Sequence, residues 1–197
     1  MKTFEEYYKL LLKWEKEPQR KLIYKWHKNL IDDVIKDFET AIQQIRIIGL
    51  SCDLREGKES QADGNDVDNF AANKLNERLK VFKIYKCPGK GYPDRILGKG
   101  TSREIALEMK ATGKWDSKDS HRRVLTCSSK KLRANFTKPI YHLICNVTYR
   151  KAQQKAEIKS IRLDLINPKS FVSIRLEASV SHKIFDKGNH EKREFTK

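Results

Sequence analysis

The sequence predicts a single α/β or α+β domain, with its helices first and its strands after them. Three observations carry that reading. Apolar residues recur with the helical period up to about residue 80 and with the period of a strand from there on. The 197 residues suit one domain, given the usual ~100–200 residues per domain. No internal repeat or low-complexity tract divides the chain.

Each element follows in order. Phe4, Tyr7, Leu11 and Trp14 predict a helix over 2–16, stopped by Pro18. Ile23, Trp26, Leu30, Val34, Phe38, Ala41, Ile45 and Ile48 predict one long amphipathic helix over 20–50. The polar stretch 55–66, with two glycines, predicts a loop. Asp66 is placed to cap a helix reaching about residue 80, with Val67, Phe70, Ala71, Leu75 and Leu79 on one face. Strands are expected at 81–86, 95–97, 103–111, 140–149, 157–166 and 171–180, with turns at 87–93 and 98–102. Residues 183–197 read as a polar tail, partly ordered around Phe185.

Composition narrows the function. Lys and Arg number 42 against 26 Asp and Glu, a formal charge of +16, and the sequence pI is about 9.7. Such an excess points to a polyanionic partner, nucleic acid before an acidic lipid surface. No apolar run approaches the ~20 residues of a membrane span, and Met1 is not followed by a secretory apolar region. Cys52, Cys87, Cys127 and Cys145 are scattered, without a C-x-x-C pair or a histidine at zinc spacing. Free thiols in a reducing, cytoplasmic setting are therefore expected.

The chemistry concentrates in one stretch. Strand 103–111 alternates, with Ile105, Leu107 and Met109 on one face and Glu104, Ala106, Glu108 and Lys110 on the other. Glu108 and Lys110 thus point the same way, and the small Ala106 leaves room for a phosphate. Asp94 begins a short strand that can form a hairpin with this one, bringing its carboxylate beside Glu108. Two carboxylates and a lysine suit phosphodiester hydrolysis. Mg²⁺ takes oxygen ligands and neutralises the phosphate while generating hydroxide, and a lysine can orient the water. Glu56/Lys58, Asp116/Lys118 and Glu157/Lys159 share the acid-x-Lys spacing. Glu108/Lys110 differs in its rigid strand and in following Asp94 by 14 residues.

Pro93-Asp94 with Glu108-Met109-Lys110 resembles the PD-(D/E)xK motif of the restriction-endonuclease-like nucleases. The resemblance covers only residues 93–110. It implies a mixed β-sheet flanked by helices, Asp94 and Glu108 as Mg²⁺ ligands with the Met109 carbonyl as a third, and Lys110 as the catalytic lysine. Some members add a helical glutamate, for which Glu77 is the nearest candidate. The Gln-x-x-x-Tyr element of exonuclease-like branches is absent after the lysine.

A basic segment follows directly. Residues 110–138 hold six Lys and three Arg against two Asp, a local charge of 9 − 2 = +7. Lys114, Ser117, Lys118, Asp119, His121, Arg122, Arg123, Ser128, Ser129, Lys130 and Lys131 are groups that read base edges or hold phosphates. Trp115 is available to stack. Nothing supports a hydrolase triad, an HNH cluster or a P-loop, so no nucleotide cofactor is expected.

The combined expectation is a Mg²⁺-dependent, sequence-specific double-stranded DNA endonuclease of type II restriction character. It would act as a homodimer cutting both strands of a palindrome. Residues 1–50 would serve dimerisation or DNA wrapping, 66–180 would form the catalytic core, and 113–135 would recognise DNA. The rival readings are a non-catalytic DNA-binding module such as a repressor, or a nuclease of the same type acting on junctions, mismatches or RNA.

Overall fold

The computed structural model describes residues 2–14, 18, 23–55, 60–88, 93–113, 139–176, 180–184 and 191–196. The elements run β1 (Lys2–Thr3), α1 (Phe4–Trp14), α2 (Lys28–Ile45), β2 (Ser51–Asp53), α3 (Ser60–Arg78), β3 (Ile84–Lys86), β4 (Arg95–Leu97), β5 (Ile105–Thr112), β6 (Tyr141–Ala152), β7 (Lys155–Ile166), β8 (Phe171–Leu176), β9 (Val180–Ile184) and β10 (Glu191–Thr196). The fold is α/β, a mixed sheet with helices against it. Its main sheet has the order β10-β7-β6-β5-β4-β3, with β2 also on β7, and a smaller sheet has the order β1-β8-β9. Within the main sheet β5 and β6 pair in parallel, and the other described pairings are antiparallel.

The helices begin and end where side chains satisfy their backbone. At α1, Thr3 Oγ1 accepts from the Glu6 N–H at 3.2 Å while a Glu6 carboxylate oxygen accepts from the Thr3 N–H at 2.7 Å. This is a reciprocal capping box. The long helix expected over 20–50 is shorter than its apolar stripe. Ile23 instead bridges Ile140 in extended chain, His27 caps α2 by accepting from the Leu30 N–H, and Arg46 ends it in a left-handed conformation. Periodicity alone could not see these two caps. The stripe itself is buried, from Ile23 through Trp26, Leu30, Val34 and Phe38 to Ala41.

α3 starts six residues before the expected cap, at Ser60, and absorbs much of the expected loop. Asp66 lies inside the helix and forms an ion pair with Arg55, whose Nε is 2.7 Å from Oδ1. Val67, Ala71, Leu75 and Leu79 are buried. They meet the α2 stripe and Leu107, Met109, Leu143, Val147, Ile161 and Leu163 of the sheet in one core.

Two strand expectations are corrected, and two strands are found where none was expected. Strand 81–86 reduces to β3, because Asp37 of α2 accepts from the backbone N–H groups of Lys80, Val81 and Phe82 at 3.0, 3.0 and 2.9 Å. Those donors are then unavailable to a ladder. The stretch 171–180 is two strands, β8 and β9, paired antiparallel. The tail contributes β10, which pairs with β7 and buries Phe195, whereas Phe185 lies outside the described residues. β2, missed in the sequence, pairs with the start of β7.

Among the described residues, no helix is long and apolar enough to cross a membrane. Cys52, Cys87 and Cys145 are buried, and Cys127 lies outside the described residues.

Candidate active site

The site is built on the β4–β5 hairpin. Its turn is set by Gly98 at φ 60° and Gly100 at φ 83°, conformations that a side chain resists. Thr101 closes it, with N–H and hydroxyl both donating to the Gly98 carbonyl at 3.1 and 2.7 Å. The Gly100 N–H donates to Glu104 at 2.7 Å. The resulting register pairs Arg95 with Leu107 and Leu97 with Ile105. Asp94 lies one residue before that register, close enough to Glu108 for the two carboxylates to act on one another. The Asp94 carbonyl also accepts from the Cys87 N–H at 2.9 Å, continuing the ladder toward β3.

β5 is buried on both faces, so Glu108 is not a surface charge. Its side chain is 5% exposed against 26% for Lys110, whose Nζ lies 2.5 Å from Glu108 Oε1. The other oxygen, Oε2, is enclosed and has no hydrogen-bond donor among the described residues. Burial pushes the Glu108 carboxyl up to about 7, against the pull of Lys110, and the negative charges of Asp94 and Asp68 add to the rise. Burial works to lower Lys110, but Glu108, Asp94 and Asp68 together hold its pKa above the ordinary value. Met109 lies between the two, its side chain buried with the core.

Sequence reasoning missed a fourth member, Asp68 of α3. Burial raises its carboxyl, Arg95 and Lys110 lower it, and Asp94 raises it further. Arg95 Nη2 stands 2.8 Å from Asp68 Oδ1. That approach is an ion pair without hydrogen-bond alignment, since Oδ1 receives no hydrogen bond. Nη1 donates to Oδ2 at 3.4 Å, and Nη2 donates to Asn69 Oδ1 at 3.1 Å. The signal available in the sequence was the polar pair Asp68-Asn69 between the buried Val67 and Ala71. Glu77, the nearest helical candidate in the sequence, is a surface helix residue, exposed and paired with Lys74 at 2.8 Å.

The same face of the sheet continues away from the site. Lys110 pairs in register with Asn146, and Asn146 with Arg162. Asn146 donates to Asp164 Oδ2 at 3.0 Å, and Arg162 donates to Asp164 Oδ1 from Nε at 3.1 Å and Nη2 at 2.8 Å. Further along, His142 is fully buried, with the rings of Phe4 and Tyr8 at 5.3 and 5.8 Å.

Among the described residues, no three His, Cys, Asp or Glu side chains form a group that could hold a metal ion. The donor set nevertheless suits a hard cation. It is all oxygen, and one of those oxygens, Glu108 Oε2, is enclosed without a donor among the described residues, whereas Asp68 Oδ1 already faces the Arg95 guanidinium. Lys114, Ser117, Lys118, Asp119, His121, Arg122, Arg123, Ser128, Ser129, Lys130 and Lys131, together with Trp115, lie outside the described residues.

The chain matches no protein-family model and no curated protein. Among solved structures, the NlaIV restriction endonuclease aligns with it at a TM-score of 0.48 and 18% identity. The alignment covers 84% of this chain and 70% of that chain.

Proposed function

We propose that this protein is a Mg²⁺-dependent, sequence-specific double-stranded DNA endonuclease of the PD-(D/E)xK type, working as a homodimer. The observation that carries the reading is a strand-held Glu108 whose Oε2 has no donor among the described residues, beside Lys110 and within electrostatic reach of Asp94. A buried carboxylate left half-satisfied is costly as a structural feature and useful as a ligand.

Asp94, Glu108 and the Met109 carbonyl would hold the Mg²⁺, which supplies charge neutralisation at the phosphate and an acidified water. Lys110, partly exposed at the edge of the site, orients the attacking water and stabilises negative charge on the phosphate. Ala106, fully buried one residue pair below on the same face, keeps that floor small. The basic segment 110–138 binds DNA, and its charge sets the affinity. Two copies would bring two sites to a palindrome.

The test is digestion of plasmid DNA of known sequence with Mg²⁺ or with EDTA. Discrete fragments with Mg²⁺ alone support the reading. A gel shift without cleavage supports a DNA-binding module, and cleavage confined to junctions, mismatches or RNA changes the substrate.

A further inference from the structure

Five charged side chains meet at the open end of the β4–β5 hairpin. Asp94, Glu108 and Asp68 act on one another electrostatically and on Lys110, and Arg95 completes the set. Fully ionised, these five carry three negative and two positive charges, one net negative charge. The two cations are already assigned. Lys110 sits on Glu108 at 2.5 Å and Arg95 on Asp68 at 2.8 Å.

The two cations differ in freedom. Lys110 is a flexible stem, 26% exposed, and can swing aside for an incoming ion. Arg95 is 5% exposed, extends from a strand residue paired with Leu107, and is held on α3 by both Asp68 and Asn69. A guanidinium fixed in this way does not leave. A divalent ion bound to Asp68 would have to sit beside it, like charge against like charge in a water-poor setting.

We propose that Arg95 occupies the place of a second metal ion, so that the site binds one divalent cation through Asp94 and Glu108. Asp68 is then the counterion of Arg95, not a ligand. The inference rests on the nuclease reading and adds to it the number of ions and the role of the Arg95–Asp68 pair.

The test counts Mn²⁺ bound to the full chain by equilibrium dialysis, scoring only ions that the Asp94→Ala variant fails to bind. One Mn²⁺ per chain is expected. The double variant Arg95→Met/Asp68→Asn removes one charge of each sign, and replacing a buried pair together is usually tolerated. It is expected to keep that single ion with a Kd within about threefold of the wild-type value. Arg95→Met alone leaves Asp68 without its cation and is expected to bind a second Mn²⁺. Two Asp94-dependent ions in the wild type would overturn the inference and leave the nuclease reading intact. So would a more than tenfold weaker Kd in the double variant. No Asp94-dependent Mn²⁺ at all would overturn both.

Discussion

The Lys110 ammonium lies 2.5 Å from Glu108 Oε1, two residues back on the same strand, while Glu108 Oε2 receives no hydrogen bond from the described residues. The pair is therefore lopsided. One oxygen is neutralised from within the protein and the other is left for something else.

That asymmetry has a pH signature. Burial first, with Asp94 and Asp68 adding to it, pushes Glu108 up to about 7. Below that pH the carboxyl is protonated and a poor ligand. Divalent-ion affinity and cleavage are expected to rise as pH increases from about 6 to 8, because the base form gains population there. Stability runs the other way. A raised carboxyl pKa contributes stability that is complete below the unfolded value of 4.5 and lost as pH rises through about 7. Denaturant titrations without divalent ions should therefore show wild-type stability falling by roughly 1–3 kcal/mol across that window. Glu108→Gln should lose that slope.

Asp37 is a structural carboxylate with a separate consequence. It accepts three backbone N–H bonds that turn the chain from α3 into β3, and it is 9% exposed. Asp37→Ala leaves those donors unsatisfied beside the buried Phe82. A loss of about 2–4 kcal/mol is expected by chemical denaturation, at the cost of roughly 1–3 kcal/mol per orphaned buried group with partial rescue by water.

Gly98 controls the hairpin that brings Asp94 within electrostatic reach of Glu108. Its φ is 60°, and an added Cβ would stand 3.2 Å from Thr101 Oγ1. Gly98→Ala is expected to destabilise by about 1–2 kcal/mol through the left-handed conformation. It should also lower cleavage more than DNA binding, because it shifts Asp94 against Glu108. Comparing turnover with gel-shift affinity in the same preparation checks this.

The basic segment predicts a salt dependence. The 110–138 stretch carries a net +7, so log affinity for DNA should fall linearly with log salt. Each phosphate contact removed should flatten the slope by about 0.9. Lys130→Ala and Lys131→Ala, assayed by fluorescence anisotropy over a salt series, are each expected to flatten it by that amount. An unchanged slope in both would place phosphate binding elsewhere.

Strand-borne features were legible because two-residue alternation fixes direction. Glu108 and Lys110 share a face, and the Asp94 register follows from a short turn rich in glycine. The apolar stripes of α2 and α3 were legible for the same kind of reason. Their ends were not, since His27 and Arg46 at α2 and Ser60 at α3 depend on local capping and backbone conformation. Asp37, Asp68 and Arg95 escaped because each acts across elements. Asp37 is 43 residues from its first backbone partner and Asp68 is 27 from Arg95. The tail looked unstructured because five of the six β10 residues are exposed. Its one apolar anchor, Phe195, gains meaning only once β7 is beside it.

The most direct test of the central claim is mapped cleavage by purified Asp94→Ala set against wild type in Mg²⁺. Wild type is expected to cut plasmid DNA at fixed positions. Asp94→Ala is expected to shift the same DNA in a gel and leave it uncut, with an unchanged circular dichroism spectrum. Cleavage by folded Asp94→Ala at the wild-type positions and rate would contradict the account.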